Sequence, residues 1–225
     1  KQILITGADG FLGKNFSHIL RDIGFEILMF TRNNSIDDLY SLVARANIII
    51  HLAGENRPTK EEDFFIGNTK LTASLCDAVR KRGKLPNIFF ASSIQAELNN
   101  LYGKSKLKAE EHLIQLQEDV GLFLAIYRLP NVFGKWSKPN YNSVVSTFCY
   151  NIVNDLPVDI HEPQKVIELL YVDDLIEDIV DKLDSKSFNT TQYHTVQKIY
   201  SLTVAELAEQ IYAFKQSWKS LIIEE

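Results

Sequence analysis

The sequence predicts an α/β fold built on a doubly wound parallel sheet, and three observations carry that prediction. A short apolar run, Ile3-Leu4-Ile5, leads into glycines at positions 7, 10 and 13. Phe11, Phe16, Ile19, Leu20 and Ile23 then recur at helical spacing. Strand-like and helix-like patterns go on alternating through the first 130 residues, which demands parallel strands joined by helical crossovers. The segment 47–52, Asn-Ile-Ile-Ile-His-Leu, is apolar enough to be buried on both faces, as strands inside such a sheet are. A chain of 225 residues with a 45% apolar share can fill one α/β domain, or a large domain with a small lobe.

The first strand, glycine turn and helix form a unit suited to a dinucleotide. Gly7 lets the backbone turn tightly, and Gly10 removes a Cβ from the path of a pyrophosphate. Gly13 lets the helix pack closely on the strand. The helix N-terminus offers its unpaired N–H groups to the phosphates. A second strand is expected over 25–30, a helix over 36–46, a third strand over 47–52 and one or two helices within 60–82. A fourth strand over 88–91, a long helix over 102–120 and a fifth strand over 122–127 complete the series. Ligands of such sheets bind beyond the carboxyl ends of the strands, so those ends carry the argument.

The second strand runs into Thr31-Arg32-Asn33. An NAD-preferring unit places an acid here for the ribose 2′-hydroxyl, whereas Arg32 suits a 2′-phosphate, so the reading is NADPH rather than NAD. The third strand ends in His51-Leu52-Ala53-Gly54, small enough for close approach of the cofactor, with His51 read as structural. The fourth strand is tipped by Ser92-Ser93, and Tyr102 and Lys106 follow four residues apart on one helical face. A lysine ammonium beside a phenol favours the phenolate, so Tyr102 is expected to have its pKa lowered into a range useful for proton exchange. Ser93 can hydrogen-bond a substrate oxygen.

The net charge is −5, with no basic run, which argues against nucleic acid as a partner. No apolar run is long enough to span a bilayer and no signal peptide is visible, so a cytoplasmic protein with no membrane partner is expected. Two cysteines, Cys76 and Cys149, without CxxC spacing imply neither a disulfide framework nor a metal site. Lys1 stands where a start Met would be expected.

Five motifs in order resemble the extended short-chain dehydrogenase/reductase family. They are Thr6-Gly7-x-x-Gly10-x-x-Gly13, Ser92-Ser93, Tyr102-x-x-x-Lys106, Arg128-Leu-Pro-Asn-Val-Phe-Gly134 and Tyr171-Val-Asp-Asp-Leu175. The resemblance implies Tyr102 as general acid/base, Lys106 as a ligand of the nicotinamide ribose, Ser93 orienting the carbonyl and Asn131 near the substrate. Asn68 matches a helix asparagine of many members. Gly7, Ala8, Asp9, Gly10, Phe11, Leu12, Arg32, Leu52, Ala53, Gly54 and Leu129, with Tyr102 and Lys106, form the expected cofactor-contacting set. Asn131, Lys138 and Asn142 form the expected substrate set. An NADP-binding core over 1–134 and a mainly substrate-binding lobe over 135–225, with elements returning to the core, follow from the same pattern. The family often carries an arginine for the sugar-nucleotide diphosphate where Ile167 stands here, leaving Arg128, Lys135 and Lys138 as candidates.

Within that family the segment from Asn131 to Ser143, Thr147-Phe-Cys-Tyr150, His51-Leu-Ala-Gly-Glu-Asn-Arg-Pro58 and Tyr212-Ala-Phe-Lys-Gln-Ser217 are similar to CapF-type capsular polysaccharide enzymes. Those enzymes add a C-terminal metal-binding cupin, expected to be absent from this sequence. The resemblance implies NADPH-dependent reduction of a 4-keto group on a UDP-linked 2-acetamido-2,6-dideoxy sugar. The product would be a UDP-6-deoxy-L-talosamine derivative on the route to UDP-N-acetyl-L-fucosamine, made by a homodimer in the full-length protein. Rival readings are an NAD-dependent 4-epimerase, a 4,6-dehydratase and a non-catalytic NADP-binding sensor. The dehydratase lacks its usual acid pair, because Ile94 and Gln95 follow Ser93.

Overall fold

The computed structural model describes residues 1–183 and 193–220. Strands β1 (Gln2–Thr6), β2 (Glu26–Phe30), β3 (Ile48–His51), β4 (Asn87–Ser93), β5 (Leu124–Leu129) and β8 (Tyr193–His194) form one sheet in the order β2-β1-β3-β4-β5-β8. Every neighbouring pair in it is parallel. Ile3, Leu4, Ile5, Ile49, Ile50 and Ile88 are wholly inaccessible, so alternate side chains of each strand are buried on opposite faces. One face packs through Leu4, Ile49, Phe90 and Ile126 onto Leu39, Val43, Leu75, Val79 and Leu113. Those partners come from α2 (Ile36–Arg45), α4 (Leu71–Arg80) and α5 (Leu101–Val120).

Local sequence sets the helix limits. Ser35 caps α2 in a reciprocal capping box with Asp38. Asn100 caps α5 by accepting from the Gly103 N–H, and Gly121 ends it in the left-handed region at φ 73°. The stretch expected to hold one or two helices is a short α3 (Glu62–Phe64), a π-helical segment Phe65–Lys70 and then α4. β4 runs two residues further than expected, which makes Ser92 and Ser93 part of the strand.

A second, three-stranded sheet, β6 (Asn131–Phe133), β7 (Val166–Tyr171) and β9 (Tyr200–Thr203), pairs β6 with β7 in parallel and β7 with β9 antiparallel. It packs Leu169 with Phe148 and Ile152 of α6 (Val144–Val153) and with Leu207 and Ile211 of α8 (Val204–Ser220). The chain divides into two compact units, Lys1–Leu129 with Asp173–Gln197, and Pro130–Val172 with the chain from Lys198 on. The division thus falls after Leu129, not after residue 134. Asp173–Gln197, carrying most of α7 (Val172–Leu183), returns to the first unit, where Tyr127 donates to Asp178 at 2.9 Å.

Candidate active site

β1 and β3 are neighbours in the sheet, yet their crossovers leave for opposite sides, to β2 and to β4. That switch point opens a crevice at the carboxyl ends of the two strands. Gly7 turns there with φ 69°, and a Cβ on it would lie 2.8 Å from the Ala53 Cα, so only glycine lets the two strand ends meet. A Cβ on Gly13 would stand 2.1 Å from the Gly7 carbonyl oxygen, so the first turn of α1 (Phe11–Asp22) rests directly on the loop. A Cβ on Gly10 would meet just that same oxygen, at 3.1 Å; its other side is open. Gly10 caps α1 without a side-chain bond, and no acid occupies the first turn. The N–H groups of Phe11 and Leu12 therefore begin a helix whose first turn carries no acid, which fits a dinucleotide pyrophosphate. Ala8 is fully buried and ties the loop to β2 through its N–H and the Phe30 carbonyl, while Asp9 is exposed. Leu52, Ala53 and Gly54 form the opposite lip, and the Ala53 N–H donates to Thr6 Oγ1 at 3.1 Å.

The floor of the crevice is a polar network with its proton positions fixed by elimination. Thr72 Oγ1 donates to the Asn68 carbonyl at 2.6 Å, so its lone pairs face His51 Nε2, 2.9 Å away. His51 therefore carries its proton on Nε2, and Nδ1 accepts from Thr6 Oγ1 at 2.6 Å. Full burial, with the Lys106 charge adding to it, pushes the His51 pKa down to about 3. The residue is a neutral strut, in keeping with the structural reading. Asn68, in the π-helical segment, accepts from the Glu55 N–H and donates to both the Glu55 carbonyl and Ser105 Oγ. Ser105 Oγ in turn donates to the Tyr102 carbonyl at 2.7 Å. One asparagine thus links the loop after β3 to the first turn of α5.

Ser93, Tyr102 and Lys106 come together in this first unit. Ser93 Oγ accepts from the Gln95 N–H at 3.2 Å, capping the 3-10 turn Ile94–Glu97 and leaving its hydroxyl proton free to donate. A Cβ on Gly103 would stand 2.1 Å from the Gln95 carbonyl oxygen. That glycine therefore lets α5 dock on the 3-10 turn, bringing Tyr102 to Ser93. Burial raises the Tyr102 pKa above its ordinary value, and a hydrogen bond with Ser93 works against the rise. The shift is opposite to the one expected from the Tyr-Lys spacing. The reason is burial, which disfavours the phenolate; Lys106 Nζ donates to the Ala91 carbonyl at 2.8 Å and lies 5.0 Å over the Phe90 ring. Burial pushes Lys106 down to about 8, and the Glu110 carboxylate one turn further on draws it upward.

Arg128 is held within the first unit and is a poor candidate for a diphosphate. Its Nε and Nη2 donate to the fully buried Glu110 carboxylate, Nη2 at 2.6 Å, and Nη1 reaches Glu97 at 2.7 Å. The Tyr193 hydroxyl donates to the same Glu110 carboxylate at 3.0 Å, and Ser92 Oγ also bonds to it. Nothing in the spacing of Ser92, Glu97, Glu110, Arg128 and Tyr193 announces this cluster, since its members come from five elements. Leu129 is buried at the end of β5, in register with Ser93. Asn131, Lys138 and Asn142 lie in the second unit and are exposed, Asn131 donating to the Glu168 carbonyl at 3.4 Å. Ile167 sits among the apolar residues packed on that unit's core.

Residues 3–195 match the NAD dependent epimerase/dehydratase family. The chain belongs to that family. It is 48% identical over 221 residues to the UDP-2-acetamido-2,6-beta-L-arabino-hexul-4-ose reductase of Pseudomonas aeruginosa, a match spanning 98% of this chain and 59% of that protein. Its fold matches the capsular polysaccharide assembling protein CapF of Staphylococcus aureus with a TM-score of 0.85 and 36% identity, over 96% of this chain and 58% of that one. The UDP-glucuronic acid 4-epimerase of Bacillus cereus, solved in complex with NAD, shares the fold at a TM-score of 0.85 and 16% identity, over 96% of this chain and 85% of that one. Cys76, buried in α4, has its thiol pushed up to about 12, as suits an inert core residue. Among the described residues no helix is long and apolar enough to cross a membrane, and no cluster of His, Cys, Asp and Glu could hold a metal ion.

Proposed function

We propose that this chain is a reductase acting on the C4 keto group of a UDP-linked 2-acetamido-2,6-dideoxy-hexos-4-ulose, with NADPH as reductant. The observation that carries the reading is the juxtaposition of a half-buried, protonated Tyr102 with Ser93 and Lys106 beside the glycine cradle. The P. aeruginosa relative, named for reduction of such a substrate, supports the substrate class. The product would be a UDP-6-deoxy-L-talosamine derivative, feeding UDP-N-acetyl-L-fucosamine for capsule or O-antigen in the cytoplasm.

A nicotinamide, when bound, supplies the hydride to C4. Tyr102 holds its proton at neutral pH because burial disfavours the phenolate, so it starts in the form that a reduction needs. It donates that proton to the carbonyl oxygen as negative charge develops there. Ser93, its oxygen already occupied by the Gln95 N–H, turns its O–H to the same oxygen. Lys106 keeps a positive charge close to the site and presents its remaining protons to the ribose. The second unit would supply substrate recognition through Asn131, Lys138 and Asn142, in a homodimer of the full-length protein.

The test is NADPH oxidation, followed by its near-ultraviolet absorbance, with the freshly made UDP-4-keto-6-deoxy sugar and with or without a separate epimerase. Turnover with either supports a reductase; dependence on the epimerase shows that the epimerised sugar is the substrate. Tight NADPH binding without oxidation in either case favours an epimerase or a sensor.

A further inference from the structure

The end of β2 is where a dinucleotide-binding sheet reads the adenosine ribose, with an acid for a free 2′-hydroxyl and a cation for a 2′-phosphate. This protein places both charges there, from different strands. Arg32, just past β2, has a side chain 77% exposed, and its Nη2 lies 2.9 Å from Glu55 Oε2. Glu55 belongs to the loop after β3, two residues beyond the Ala53 that meets Gly7, and its side chain is just 18% exposed.

The two partners are held unequally. Glu55 is fixed at both backbone groups by Asn68, its N–H donating to Asn68 Oδ1 at 2.9 Å and its carbonyl accepting from Asn68 Nδ2 at 2.8 Å. Its Oε1 accepts from the Asn56 and Arg57 N–H groups at 3.2 and 3.3 Å. Gly67 presses against it so closely that a Cβ there would fall 2.9 Å from the Glu55 Cβ. The carboxylate is therefore anchored, and the guanidinium is the movable partner of a mostly solvated ion pair.

We propose that Glu55 is a cofactor-specificity residue that weakens the preference Arg32 would otherwise give for a 2′-phosphate, so that the protein accepts NADH as well as NADPH. The proposal rests on the reading of Arg32 as the 2′-phosphate ligand. A 2′-phosphate must draw the guanidinium from Glu55 and sit near an anchored carboxylate of like charge. A free 2′-hydroxyl meets no repulsion and finds in Glu55 an acceptor. The acid that an NAD-binding unit carries at the end of β2 is supplied here from the loop after β3.

The test compares Glu55→Gln and Arg32→Gln with the parent protein, measuring calorimetric binding of adenosine 2′,5′-bisphosphate and of adenosine 5′-monophosphate. The amide of Glu55→Gln keeps an oxygen for the Asn56 and Arg57 N–H groups, so the loop is preserved. Glu55→Gln is expected to tighten the bisphosphate about fivefold, the worth of one exposed ion pair, and not to tighten the monophosphate. Arg32→Gln is expected to weaken the bisphosphate alone. An unchanged ratio of the two affinities in Glu55→Gln, with Arg32→Gln behaving as stated, overturns the role of Glu55 and leaves Arg32 as the phosphate ligand. An unchanged ratio in Arg32→Gln overturns the NADPH reading, and with it this proposal. Failure of the parent protein to bind either ligand overturns both.

Discussion

The two units handle polar groups in opposite ways. Thr6, His51, Asn68, Thr72, Ser92, Ser93, Ser105, Lys106 and Glu110 are all buried in the first unit, whereas Ser143 is the one buried polar side chain of the second among the described residues. A buried polar group is costly unless bonded, and in the first unit most of these join a connected network beneath the strand ends. The second unit has an apolar interior of Phe148, Ile152, Leu169, Leu207 and Ile211, with Asn131, Lys138 and Asn142 at its surface. The difference teaches where precision is stored. Reacting groups are held by bonds that fix their protons and positions, while the residues proposed to choose the substrate sit where they can change without disturbing a core.

The contrast is sharpest at Tyr102. Replacing it with Phe removes one hydroxyl from an almost fully built network, so structure and cofactor binding should survive while the proton donor is lost. Turnover should fall about 10³-fold, the scale of a positioned general acid, with NADPH affinity within about twofold of the parent. Parallel loss of turnover and cofactor binding, measured by steady-state kinetics and fluorescence titration, would make Tyr102 a structural residue.

Glu110 tests whether the buried network is as consequential for folding as for chemistry. Glu110→Ala leaves the Arg128 guanidinium, Ser92 Oγ and the Tyr193 hydroxyl facing a cavity. Breaking a buried pair on one side costs about 3–5 kcal/mol; Arg128 is partly exposed and keeps Glu97, so the shift in denaturant midpoint should fall toward the lower end of that range. Asn142→Ala, at the exposed surface of the second unit, should move the same midpoint by less than about 0.5 kcal/mol. Equal effects would dissolve the contrast between the units.

Much of the first unit was legible in the sequence because its signals are local. The glycine turn, the apolar strands and the Tyr-x-x-x-Lys pair each lie within one or two elements. The π-helical turn that aims Asn68, and Gly103 wedged against the Gln95 carbonyl, were not legible as such. Their meaning depends on neighbours brought together by tertiary packing. The direction of the Tyr102 shift depends on tertiary packing in the same way: spacing places a lysine on the right face but not the burial that disfavours the phenolate. The second sheet escaped notice because β6 has three residues and β9 pairs with β7 across a long separation in sequence.

The pH profile separates the two charged forms inside the network. Lys106 is pushed down to about 8 by burial, so its charge is present below that pH and lost as pH rises through it. Tyr102 moves the other way, above its ordinary value near 10, and stays protonated across the same range. The reduction rate should therefore fall on the alkaline side with a midpoint near pH 8, set by the lysine and not by the tyrosine. Glu110→Gln removes the carboxylate that draws the lysine upward, so its midpoint should lie lower than the parent's. A limb that begins only near pH 10, in both proteins, would assign the titration to Tyr102 and leave Lys106 with no part in the rate.

The smallest effect belongs to the second unit. Lys138 is exposed in the loop after β6, where a charge contributes little to folding. If it meets the diphosphate of the sugar nucleotide in place of the absent arginine at Ile167, Lys138→Ala should raise KM for the nucleotide sugar about fivefold and leave kcat unchanged. The gap should close as salt is added, since an exposed charge is screened within about 10 Å at ordinary ionic strength. A KM that does not move, at low salt, would place diphosphate recognition elsewhere. A kcat that falls with it would mean that the loop orients the reacting carbon as well as holding the nucleotide, and the two units would then divide the chemistry less cleanly than their polar groups do.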